Sequence, residues 1–86
     1  MRCESDRNYT RFFKEDGSSI LVSKTMKEFE AALTDNGFFR VHRSHIVNLS
    51  HVLSYQKGKG GEVSMSDGSV LDVSRDKKDA LIALLT

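Results

Sequence analysis

The sequence predicts a small, strand-rich domain with two short helices. Three observations carry this reading. Short runs rich in β-branched and aromatic residues are separated by Gly-, Asn- and Asp-containing turns around 16–17, 36–37, 58–61 and 67–68. Apolar residues recur at helical spacing in two places only, near 26–33 and 81–85. Proline is absent, so glycine and asparagine must make the turns. With 86 residues the chain forms one domain, with a modest core and little room for a deep catalytic cleft.

The elements follow in order. Residues 1–7 are polar and too short for a complete first element, so the chain is expected to be a fragment of a longer protein. Residues 9–13 and 20–23 flank Glu15-Asp16-Gly17-Ser18, a hairpin signal. Thr25-Met26-Lys27-Glu28 is a capping box, in which hydroxyl and carboxylate satisfy each other's orphan amides. Met26, Phe29 and Leu33 then line one face of a helix of roughly three turns. Asn36-Gly37 ends it with residues that tolerate positive φ. Residues 38–42 and 45–48 read as extended segments around a kink at Arg43-Ser44. Asn48 closes the second segment, where an Asn side chain commonly bonds nearby backbone rather than reaching outward. Residues 52–56 and 62–66 flank Gly58-Lys59-Gly60-Gly61, a second hairpin, and Asp67-Gly68 turns into a last strand at 70–73. Ser74 is placed to N-cap a final helix whose Leu81, Ile82, Leu84 and Leu85 either close the domain or face a partner.

Composition excludes several classes. No apolar run approaches the ~18 residues of a membrane-spanning helix, and polar residues after Met1 give no signal-peptide pattern. The single Cys3 cannot form an internal disulfide, so a reducing, cytoplasmic setting is expected. The net charge of +1 hides a separation of charge. Between Asn36 and Gly61 there is no Asp or Glu, yet this window holds Arg40, Arg43, Lys57, Lys59, His42, His45 and His51. Such a stretch is what a polyanion would meet.

Catalytic and metal chemistry find little support. His42 and His45 have odd spacing, which puts them on opposite faces of an extended segment, and no acid or cysteine between them completes a metal site. Cys3 lies near the terminus, where nothing marks it as an activated nucleophile. Gly58-Lys59-Gly60-Gly61 precedes a strand pattern, not a helix, so it is a turn rather than a phosphate loop. Neither a cofactor nor an enzymatic activity is expected. Arg43 and Arg75 are the sharper features. Each sits where a strand gives way to a loop or helix start, and the planar guanidinium fork matches the O6/N7 edge of guanine. The adjacent Ser44 and Ser74 can hold phosphates, as can amides at the start of the last helix.

The run F-F-R-V-H-R-S-H-I-V-N-L at 38–49, followed by D-G-x-x-L-x-V-S-R at 67–75, resembles the LytTR family of bacterial DNA-binding domains. The upstream order agrees: E-S-D-R-N-Y-T, a D-G hairpin, then a short helix. The resemblance runs from Glu4 to Leu85. It implies a mainly β fold, an elongated β-β-β sandwich of small antiparallel sheets with one or two short helices. It implies a body laid along the duplex, with three loops entering successive major grooves: those around Asn8 and Tyr9, Arg43, and Arg75. It also implies an output domain of a response regulator in a two-component system, linked to a receiver or sensor domain absent from this chain. Paired DNA repeats would then seat a second copy beside the first. The first strand looks truncated against the family pattern. Two positions depart from that pattern: His45 stands where the family commonly has an aromatic residue, and Asp76 follows Arg75.

The combined reading is a sequence-specific double-stranded DNA-binding domain for transcription regulation, spanning 1–86. Arg43, Arg75 and Tyr9 are the expected base contacts. Asn8, Ser44, Ser74, Lys77 and Lys78 are the expected backbone contacts. The alternative is a protein-interaction module using an exposed sheet edge or the C-terminal helix.

Overall fold

The computed structural model describes residues 2–85, with backbone only at Lys59. Strands β1 (Arg2–Asp6), β2 (Tyr9–Phe13) and β3 (Ser19–Val22) are followed by helix α1 (Met26–Thr34). Then come β4 (Phe38–His42), β5 (His45–Asn48), β6 (Val52–Gln56), β7 (Glu62–Met65), β8 (Val70–Asp72) and helix α2 (Lys78–Leu85). The strands form two antiparallel sheets. One has five strands in the order β3-β2-β1-β5-β4, the other three in the order β6-β7-β8. The body measures 33 × 26 × 24 Å.

The five-stranded sheet is covered on both faces at β5, while its edge strand β3 stays largely exposed. Strand alternation sends neighbouring residues of β5 to different cores. Ile46 packs with Cys3 and Met26 beneath α1, joined by Phe12, Leu33 and Phe38. Val47 packs with Val41, Val63, Met65, Leu71, Val73 and Leu81 between the sheets and α2. Leu81 is fully buried while Leu84 is 54% exposed, so α2 closes the domain through one leucine and leaves another outside.

The stretch before Tyr9 is a correction. Although residues 1–7 read in sequence as too short for a complete element, Arg2–Asp6 is a paired strand at the centre of the five-stranded sheet, flanked by β2 and β5. Its polar residues conceal this because the pairing comes from both neighbours rather than from its own propensity. Cys3 is accordingly fully buried, and burial pushes its thiol up to about 11. The shift favours the neutral thiol, and the fold shields it from solvent.

The local signals for α1 hold. The Glu28 carboxylate accepts the Thr25 backbone N–H at 2.8 Å, the Asn36 amide donates to the Ala32 carbonyl at 2.7 Å, and Gly37 turns the chain at φ 84°. The junction at 43–44 is a tight two-residue turn of a β4–β5 hairpin rather than a kink. One extra residue in β4 between Arg40 and His42 resets the register so that His42 faces His45.

Asn48 precedes a single 3-10 turn, Leu49–His51. Its side-chain oxygen accepts the Ser50 N–H at 3.0 Å and the Ser50 hydroxyl at 2.8 Å. Asn48→Ala is expected to cost about 0.5–2 kcal/mol, the usual loss for an N-cap. Urea unfolding would read this directly, and an unmoved midpoint would rule out a capping role.

Candidate nucleic-acid interface

Sheet order decides which loops meet. The β1–β2 hairpin turns at Arg7 and Asn8, with Asp6 paired to Tyr9. The β4–β5 hairpin turns at Arg43 and Ser44. Because β1 lies beside β5, the two turns share one end of the sheet, where the Ser5 N–H donates to the Ser44 carbonyl at 2.9 Å. The third segment is tied to the same end. After β8, the Ser74 N–H donates to the Val41 carbonyl at 2.7 Å, and a 3-10 turn, Arg75–Lys77, leads into α2. Arg43, Ser74 and Lys77 line one shallow depression of about 430 Å³ together with Glu30, Arg40, His42 and Asp76.

The sequence-predicted residues differ in how free they are. Asn8, Tyr9, Arg43 and Arg75 are exposed; Ser44, Ser74, Lys77 and Lys78 are half-buried. Among the described residues the Arg43 and Arg75 guanidinium groups make no hydrogen bond or ion pair. Ser74 stands at the N-cap position, yet its hydroxyl makes no capping bond. Lys78 is more engaged than Lys77: a Cβ on Gly61 would lie 2.8 Å from its Cε and 2.9 Å from the Tyr55 hydroxyl. The stem of Lys78 therefore packs on the β6–β7 turn.

Arg40 is a positioning residue that sequence reasoning counted as free charge. Its Nη1 pairs with the Glu30 carboxylate of α1 at 2.7 Å, and its Nη2 donates to the Arg43 carbonyl at 2.6 Å. It holds the backbone of the turn while leaving the Arg43 side chain unbonded. His42 adds a second brace, its Nδ1 accepting the Ser44 N–H at 3.1 Å.

The histidines do not lie as their spacing suggested. Facing each other across the hairpin, the His42 and His45 rings sit 5.5 Å apart on the same side of the sheet. Desolvation by burial lowers the His45 pKa, which favours the neutral form of this half-buried ring. His51 is elsewhere. It follows β5 at the opposite end of the sheet, its Nε2 2.8 Å from the Glu15 carboxylate and its Nδ1 3.0 Å from the Ser66 hydroxyl. The acid-free window therefore does not fold into one basic patch. Its Arg43 turn joins the loops at one end, while His51 belongs to an acidic end with Glu15. Among the described residues no cluster of three His, Cys, Asp or Glu side chains is arranged to hold a metal, and no helix is long and apolar enough to cross a membrane.

A second surface lies apart from these turns. Val52, Leu53, Tyr55, Ile82 and Leu85 line an apolar groove of about 400 Å³ between the edge strand β6 and α2. Leu53 is 70% exposed there.

Comparison with known proteins matches residues 1–86 to the family described as the LytTr DNA-binding domain. Over 85 residues the chain is 33% identical to the CO-responsive transcriptional regulator RcoM of Rhodospirillum rubrum, covering 95% of this chain and 36% of RcoM. Over 69 residues it is 38% identical to the sensory transduction protein LytT of Bacillus subtilis, covering 78% of this chain and 29% of LytT. The chain thus spans roughly a third of the length of these two regulators. Its structure is similar to the LytTr DNA-binding domain of a Bacillus cereus protein described as a methyl-accepting/DNA response regulator. The TM-score is 0.85 and the identity 28%, with 99% of this chain and 79% of the other covered.

Proposed function

Because the chain belongs to the LytTR family of DNA-binding domains, we propose that it reads double-stranded DNA sequence-specifically through the three turns gathered at one end of its sheet. The observation that carries this is the pair of backbone bonds, Ser5 to Ser44 and Ser74 to Val41, which gathers the turns. Arg43 and Arg75 each place a guanidinium fork on the O6/N7 edge of a guanine, and Tyr9 offers its hydroxyl to a third base. Asn8, Ser44, Ser74, Lys77 and Lys78 hold phosphates and fix the register. Asp76 beside Arg75 offsets part of its charge, so Arg43 carries the larger share of recognition.

The mechanism is binding, with no bond made or broken. In this reading the domain is the output half of a cytoplasmic transcription regulator of the response-regulator type. A receiver or sensor domain lies elsewhere in the protein, and two copies sit side by side on paired repeats. Selection of bound fragments from random duplex DNA tests the core of this. The recovered duplex is expected to bind roughly 10³-fold or more tighter than a scrambled one. Equal affinities would leave only non-specific attraction.

Lys77 provides a finer test. It lines the depression beside Arg43, whereas the Lys78 stem is packed on Gly61. Lys77→Ala is expected to weaken binding to all duplexes alike and to reduce the salt slope by about 1. Lys78→Ala is expected to do the same to a smaller extent. A salt slope unchanged in both variants would exclude phosphate contacts from this helix start. The second reading, a protein partner docked along β6 and α2, is supported by the exposure of Leu53 and Leu84. Apolar docking of that kind would be insensitive to salt.

A further inference from the structure

We propose that Arg7 is a further DNA contact, gripping a phosphate on the wall of the groove that Arg43 enters. This rests on the duplex-binding reading above and adds a residue to it.

Arg7 occupies an unfavourable backbone conformation. Its φ of 58° lies in the left-handed region, where a Cβ crowds the following carbonyl. Elsewhere the chain assigns such positions to glycine: Gly17, Gly37, Gly60, Gly61 and Gly68 all have positive φ, and Arg7 is the one non-glycine with positive φ among the described residues. Glycine would fold more easily at this turn. The two-residue hairpin calls for positive φ at its first position, a demand that glycine or asparagine meets at lower cost than arginine. Arg7 is exposed, and among the described residues its guanidinium makes no hydrogen bond or ion pair, while the neighbouring Asp6 is engaged by Arg11 at 3.4 Å. A strained position holding an unbonded, long cation points to an external anion.

The sheet order says which anion. Strands run β2-β1-β5-β4, so the centres of the Arg7-Asn8 and Arg43-Ser44 turns are two strand spacings apart, roughly 9–10 Å. The major groove is about 12 Å wide. With Arg43 near the groove centre, a side chain that far to one side meets the flanking sugar-phosphate strand rather than a base edge. The guanidinium fork fits a phosphate through two parallel N–H···O bonds.

Two variants test this. Arg7→Gly relieves the left-handed backbone, so its thermal midpoint should be unchanged or higher. Arg7→Lys keeps the charge. Dissociation constants are measured over a salt series on the selected duplex and on a mixed-sequence duplex. Arg7→Gly is expected to weaken both by the same factor, roughly fivefold at ~0.15 M salt, and to lower the magnitude of the salt slope by about 0.9, the counterion release of one phosphate. Arg7→Lys should retain the slope. Wild-type affinity and slope in Arg7→Gly would overturn the proposal, and a loss confined to the selected duplex would make Arg7 a base reader instead. Failure of the wild type to bind either duplex would remove the underlying reading as well, a result distinct from a glycine variant that binds normally.

Discussion

Arg43→Ala is expected to weaken binding to the selected duplex by about 1–3 kcal/mol, roughly five- to 150-fold, and to relax the preference for a single guanine. Binding to a mixed-sequence duplex should fall far less. The expectation comes from how the turn is built. Arg40 and His42 fix the turn backbone through the Arg43 carbonyl and the Ser44 N–H, and neither bond uses the Arg43 side chain. Truncating that side chain therefore removes a reader without loosening its mount. Competition titrations with the selected duplex and single-base variants would measure the effect. Equal losses on specific and mixed sequences would reduce Arg43 to a phosphate contact.

Leu81→Ala is expected to destabilise the domain by about 2–5 kcal/mol, the range for a buried leucine truncated in a packed core. Leu81 is fully buried between the sheets and α2 beside Val41, Val63 and Val73. A domain of this size has ~4–13 kcal/mol in all, so the loss is a large fraction of it. Leu84→Ala, at an exposed position of the same helix, should stay within about 0.5 kcal/mol. The consequence reaches the interface. The Ser74–Lys77 segment is held between Val41 and α2, so variants that release α2 should lose duplex binding in step with the folded fraction. Urea midpoints for the two variants would decide this. Similar midpoints would mean that α2 is not part of the core.

What was legible in the sequence was local. Strands β4, β5 and β6 fall where runs of β-branched and aromatic residues are bounded by turn residues, and α1 begins at its capping box. Asn48 was recognisable as a backbone-bonding residue because its partner, Ser50, is two positions away. What escaped was non-local. Strand β1 is R-C-E-S-D, whose side chains give little sign of a central strand; its place follows from pairing with β2 and β5. Glu30 neutralises Arg40 across a helix–sheet contact, and Glu15 captures His51 from 36 positions away. The His42–His45 pairing turned on whether 43–44 was a kink or a tight turn, a choice that reverses the face of one ring. The site shows the same division. Arg43 and Arg75 stood out singly at strand ends, and their grouping with Asn8 and Tyr9 came from the family resemblance. The physical cause of the grouping is sheet order, which no local pattern encodes. Arg7 had no signal at all, because its unusual φ appears only once the hairpin is built.

The central claim is that one end of the five-stranded sheet, assembled from three turns, is the surface that meets DNA. Titration of the isotope-labelled domain with the selected duplex, followed through its backbone amide resonances, tests this most directly. The largest shifts are expected at residues 7–9, 43–44 and 74–78, with little change at 15–18, 50–51 and 66–69 on the opposite end. Shifts concentrated along β6 and the exposed face of α2, with residues 43–44 unmoved, would contradict the account.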